Sequence, residues 1–161
     1  MTGTAAEIIQ YLFDQDKTKR WDIKEHKEKR SLDANAYFHV LCDKLRQADR
    51  VSMAREKNEL ITEFGQIQYL HDGSQMIYKT NAPPEYILEL ETIHMKLIKV
   101  AEEKGKAVYF YLVYRGSHEY NTKEMAQLIE GTVIRCKERH IETATPDEIT
   151  RMEALWEKRK A

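Results

Sequence analysis

The chain is poor in residues that punctuate or staple a fold, holding three prolines, six glycines and two cysteines in 161 residues. That scarcity excludes a Pro/Gly-rich linker, a low-complexity tract and a disulfide framework. Cys42 and Cys136 lie far apart, each on an apolar helical stripe, the usual setting of a free buried thiol in a reducing compartment. No run reaches the roughly 18 apolar residues that span a bilayer, and the start "MTGTAAEIIQYLFDQDKTKR" lacks the cationic lead of an export signal. We therefore expect a cytoplasmic protein with no membrane partner. An excess of one charge is missing too. With 26 Lys and Arg against 27 Asp and Glu, the formal net charge is -1, which excludes a global polycation, so any hold on phosphate must come from a local patch. There is no Gly-rich phosphate loop, nucleophile elbow or Ser/His/Asp set. The six histidines show neither the i, i+4 pairing of a helical zinc site nor a Cys-x-x-Cys partner, so no catalytic residue, cofactor or metal is expected.

What is present is a strongly patterned chain, 42% hydrophobic and 33% charged, long enough for one core and too short for two ordinary domains. "AAEIIQYLF" reads as a short amphipathic helix. "KRWDIKEHKEKR" follows with Trp21 and Ile23 alternating among charges, which predicts a half-buried strand. Ser31 is an N-cap candidate for a helix running to about Asp49, with Asp33 favourably placed in its first turn. Ala34, Tyr37, Phe38, Leu41, Cys42 and Leu45 recur at helical spacing and predict its core face, with Asn35, His39, Asp43 and Arg46 on another side. "SMAREKNELITEFG" predicts a second helix capped by Ser52 and closed by a left-handed Gly65. "QIQYLHDGSQMIYKT" predicts a hairpin turning at Asp72-Gly73.

"APPEYILELETIHMKLIKVAEEKG" reads as one long helix whose stripe is Tyr86, Leu90, Ile93, Leu97, Ile98 and Ala101, with His94 a hydrogen-bonded core histidine inside it. "AVYFYLVYR", continuously β-branched and aromatic, is the best strand in the chain. Asn121 with Glu124 makes a capping box for a helix from Thr122 to about Arg139. Thr145, Pro146 and Glu148 start a last helix, carrying Ile149, Met152, Leu155 and Trp156 inward. The expected class is α+β: several amphipathic helices on a small, mostly antiparallel sheet, in one domain over residues 1–161.

Three clusters invite a binding reading. Lys24, Lys27, Lys29 and Arg30 precede a helix start at Ser31, where backbone N-H groups add to the attraction for anions; a solvated, charge-protected edge strand explains them equally. Lys158, Arg159 and Lys160 fit either a second phosphate-binding edge or a complement to a helix C-terminus. Arg115 and His118 share the loop "RGSHEYN" between the best strand and a well-capped helix, a place where binding groups collect and where a plain connection serves as well. Asn35, on the exposed side of its helix's first turn, has an amide able to hydrogen-bond a base, a phosphate or a neighbouring loop.

At Arg30-Ser31-Leu32-Asp33-Ala34-Asn35, followed by an aromatic helix, the chain resembles the phage NinB family, the Orf-type recombination mediators. The likeness extends through "YNTKEMAQLIEGTVIRCKERHIETATPDEI" and covers about Trp21 to Lys160. It implies a homodimeric, non-enzymatic protein of a phage-infected or lysogenic bacterial host. Such a protein binds single-stranded DNA in a basic cleft, contacts host single-strand-binding protein and assists a phage recombinase. The matched motif implies Arg30, Ser31 and Asn35 as functional or fold-defining. On this reading Lys24, Lys27, Lys29, Arg30, Ser31, Asn35, Arg115, His118, Lys158, Arg159 and Lys160 are the DNA-binding candidates. Two alternatives stay open: an HNH-like metal-dependent nuclease using His71-Asp72 or Arg115 with His118, and a pure protein-interaction module that receives the acidic tail of single-strand-binding protein.

Overall fold

A computed structural model describes residues 3–24, 32–145, 148 and 149. Its helices are α1 (Ala5–Phe13), α2 (Leu32–Asp49), α3 (Met53–Phe64), α4 (Pro84–Ile87) and α5 (Thr122–Glu138). Its strands are β1 (Ile77–Thr80), β2 (His94–Glu103) and β3 (Lys106–Tyr114), which form one antiparallel sheet in the order β1-β3-β2. The class is α+β, as expected.

Local sequence explains the helical layer. Ser52 accepts from the Arg55 N-H and opens α3, and Asn121 with Glu124 forms the reciprocal capping box of α5. Thr145 and Glu148 make the same box for the last turn described. From these starts, α2, α3 and α5 bury their stripes against one another. Ala34, Phe38, Leu41, Cys42 and Leu45 of α2 meet Leu60 and Ile61 of α3 and Met125, Leu128, Ile129, Val133 and Cys136 of α5. Both cysteines are free and buried. Gly65 ends α3 as expected but not in the left-handed conformation, since its backbone is extended (φ -89°, ψ -160°). A side chain is excluded there for another reason: a Cβ would lie 2.3 Å from the Tyr120 hydroxyl and 2.4 Å from the Ile61 carbonyl oxygen. That hydroxyl accepts from the Gln66 N-H at 2.8 Å, so the chain leaving α3 is drawn tight against the start of α5.

The sheet corrects two expectations. Residues 82–105 do not form one long helix: α4 is a single turn, and His94–Glu103 are strand β2. Lys104 (φ 50°) and Gly105 (φ 75°) then make a two-residue hairpin turn into β3. Helical and strand periods both fit this segment, and the demand of β3 decides between them. That strand is apolar on both faces, and its N-H and C=O groups need a partner along each edge. The alternation around Trp21 does not produce a strand in residues 20–24, where Trp21 and Ile23 are exposed. The rest of that expected strand lies outside the described residues. The hairpin at Asp72-Gly73 is present, with Tyr69 bridged to Gln75.

Sheet and helices join at one side chain. Asn58, buried on α3, donates to the Met95 carbonyl (3.3 Å) and accepts from the Met95 N-H (3.2 Å). It thus bonds β2 as a neighbouring strand would. Around that joint Ile87, Met95, Tyr111 and Val113 form a second, smaller core, with the Tyr111 hydroxyl donating to the Ala82 carbonyl at 2.9 Å.

Candidate nucleic-acid interface

Because side chains alternate along a strand, the register assigns each residue of the sheet to a face. Lys79 of β1, Phe110 of β3 and Lys99 of β2 lie in one cross-strand row; Ile77, Leu112 and Lys96 lie in the next. Lys106 stands on the same face near the β2–β3 turn. A bulge at Ile98 restores the alternation, so that Lys96 and Lys99 share this side although three positions apart. The lysines and Ile77 are exposed, and Phe110 and Leu112 are half-buried. The Nζ atoms of Lys79 and Lys99 stand 5.7 and 5.4 Å from the centre of the Phe110 ring, within cation–π range. Glu103 takes Lys79 in two contacts of 2.7 and 2.8 Å. Lys96 and Lys99 have no ion-pair partner among the described residues.

Toward the helical layer the same face continues into His94 and Tyr114, which pair across β2 and β3. His94 is buried, and its Nδ1 has no hydrogen-bond partner among the described residues. Burial, with Lys57 and His118 adding positive charge nearby, pushes its pKa down to about 4 and keeps it neutral near pH 7. It is therefore a core histidine, as expected, but it sits on a strand and its Nδ1 is unbonded.

The sequence candidates scatter around this surface. His118 is 74% exposed on a short 3-10 turn, Ser117–Glu119, close enough to His94 to affect its charge. Arg115 is engaged: it pairs with Glu124 at 2.5 Å and lies over the Tyr120 ring, bracing the α5 capping box. Asn35 is half-buried, and its Oδ1 is buried without a partner among the described residues. Lys24 is exposed at the end of the first described segment. Lys27, Lys29, Arg30, Ser31, Lys158, Arg159 and Lys160 lie outside the described residues.

Sequence reasoning missed Lys79, Lys96, Lys99, Lys106 and Phe110. The signal was the alternation in "HMKLIKVAEE", which is visible only once the segment is read as a strand beside "AVYFYLVY". Among the described residues no group of three or more His, Cys, Asp or Glu side chains could hold a metal ion. No helix of the described residues is long and apolar enough to cross a membrane. No protein-family model, curated protein or solved structure matches the chain.

Proposed function

We propose that this protein binds single-stranded DNA on the lysine-lined sheet face. The observation that carries this reading is Phe110, in the middle strand, flanked in its own row by Lys79 and Lys99 and in the next by Lys96. An aromatic ring on an accessible sheet offers a stacking platform to an unpaired base, and lysines around it hold the phosphates on either side. Local concentration of charge answers the near-zero net charge, since four lysines and one glutamate occupy a single face of the sheet. The Arg30 to Asn35 motif adds the biological setting through its likeness to the NinB family. On that basis the protein is a phage recombination accessory without catalytic chemistry, acting beside single-strand-binding protein and a phage recombinase.

A fluorescence-anisotropy titration with a labelled single strand tests the binding. Lys96→Ala with Lys99→Ala lowers affinity about tenfold or more, and the logarithm of affinity falls with the logarithm of salt with a slope near -2 to -3 if three or four phosphates are neutralised. Affinity independent of salt, or unchanged in the double variant, removes the proposal. Binding of an acidic single-strand-binding-protein tail peptide with none of DNA points to a protein-interaction module instead, and cutting of the labelled strand with magnesium or manganese points to a nuclease.

A further inference from the structure

The surface around Phe110 does not stop at β1. Residues 66–76 form a hairpin at the corner of the sheet. One arm runs along the end of β3, where the Arg115 N-H donates to the Gln66 carbonyl at 2.8 Å and the Gln68 N-H to the Val113 carbonyl at 2.9 Å. The other arm leads into β1, and its Met76 N-H donates to the Gln68 carbonyl at 2.9 Å. The turn is locked. The Leu70 N-H donates to the Ser74 carbonyl at 2.8 Å, Gly73 takes a φ of 83°, and the Asp72 carboxylate accepts from both the N-H (2.9 Å) and the hydroxyl (2.6 Å) of Ser74. Yet every residue from Tyr69 to Lys79 is exposed. Tyr69, 53% exposed, is thus held firmly while adding little to the packing of the chain.

The register puts Tyr69 on the face of Phe110. Ile77 lies on that face, Gln75 stands two residues before it, and Gln75 bridges to Tyr69. From the other arm, Ile67 bridges to Tyr114, which shares the face of Leu112 and Phe110, and Tyr69 comes two residues after Ile67. The alternate residues Met76 and Tyr78 line an apolar groove of about 410 Å³ on the opposite face. Gln75 precedes Lys79 by four residues, so Tyr69 lies roughly 13 Å beyond Phe110 in the strand direction.

Past Leu112 the way along β2 and β3 is closed, because His94 is buried and Tyr114 packs against the helical core. On the β1 side it is open, over Ile77, which is 52% exposed, to Tyr69. Beyond Tyr69 the turn carries Asp72, whose bonds from Ser74 hold its carboxyl below the usual carboxylate range and keep it charged, a barrier to phosphate.

We infer, resting on the proposed binding of single-stranded DNA, that Tyr69 is a second base-stacking residue, and that the strand held at Phe110 crosses Ile77 and ends its track at Tyr69. The ligand is then an unpaired stretch of roughly four nucleotides or more, long enough to reach both rings, and not a single flipped or terminal base.

Fluorescence anisotropy with two labelled single strands, of roughly three and eight nucleotides, tests this. Tyr69→Ala weakens binding of the longer strand about tenfold, the usual loss of one stacked base, and leaves the shorter one, held at Phe110 among the lysines, unchanged. Tyr69→Phe keeps the ring and binds the longer strand as the unaltered protein does. Phe110→Ala weakens both strands. The melting midpoint of Tyr69→Ala stays in place, because the side chain is exposed. Undiminished binding of the longer strand by Tyr69→Ala, with Phe110→Ala weakened, overturns the second stacking residue and leaves the nucleic-acid reading standing. Equal weakening of both strands by Tyr69→Ala overturns the track. Binding of neither strand by the unaltered protein overturns the nucleic-acid reading and the track together.

Discussion

In the helical layer Phe38, Leu41, Leu45, Leu60, Met125 and Leu128 have lost all contact with solvent, whereas in the sheet Ile77, Tyr78, Leu97, Ile98 and Val100 remain exposed. Both regions are rich in apolar residues, and they use them differently. Three amphipathic helices can each turn one stripe inward and enclose a core. A three-stranded sheet has two faces, and here the single turn of α4 covers only part of one. The helices thus supply the stability of this molecule, and the sheet supplies surface. Even the exception in the helical layer fits that division. Glu56 is fully buried with neither carboxylate oxygen bonded among the described residues, and burial, aided by Asp49 and Glu59, raises its pKa against the pull of Arg135 and Arg139. Only a region with stability to spare tolerates such a group.

The sharpest way to break this contrast is to truncate one phenylalanine in each region. Phe38→Ala removes about 4 kcal/mol of unfolding free energy in a urea titration. Phe110→Ala removes about 2 kcal/mol, less than Phe38→Ala because part of the Phe110 residue stays in contact with water, yet it weakens single-strand binding about tenfold, as loss of a stacking platform does. Equal stability losses would mean that the sheet is as much core as the helices.

The joint comes next. Asn58→Ala strands the Met95 N-H and C=O without their partner and costs about 3 kcal/mol. Asn58→Asp keeps the acceptor but loses the donor. Hydrogen exchange then distinguishes uncoupling from global loss: β2 amides exchange faster while those of α5 stay protected.

A smaller effect follows pH. The folded value of His94, about 4, lies below its ordinary 6.5, so the unfolded chain takes up a proton first as the solution is acidified. The stability tied to neutral His94 is complete above about pH 6.5 and is lost as pH falls toward 4, amounting to about 2 kcal/mol between pH 7 and pH 5. His94→Leu removes that portion of the acid slope, which urea titrations at the two pH values measure. An unaltered slope would show that folding leaves the His94 pKa where it stands in the unfolded chain.

How much of this was legible beforehand differs between the same two regions. The starts of α3 and α5, and the inward face of α2, could be read because a cap and an amphipathic stripe are written within a few residues of each other. Residues 82–105 could not, since their apolar positions satisfy a helical stripe and a strand alike until a neighbour is known. Read as a helix, the segment sets Lys96 and Lys99 one turn apart with no relation to Lys79 or Phe110, so the row through Phe110 is invisible. Arg115 was legible as a loop cation but not as a brace, because Glu124 and Tyr120 meet it only in space.

By itself, then, the sequence determined the helical half of this protein and the hairpin turn at Asp72-Gly73, since caps, stripes and left-handed turn residues act over one or two turns of chain. Only the tertiary structure decided that residues 94–103 are a strand, which lysines surround Phe110 and which face carries the groove. A strand's hydrogen bonds and a sheet's rows are completed by residues distant in the chain, and no local pattern records who the partner will be.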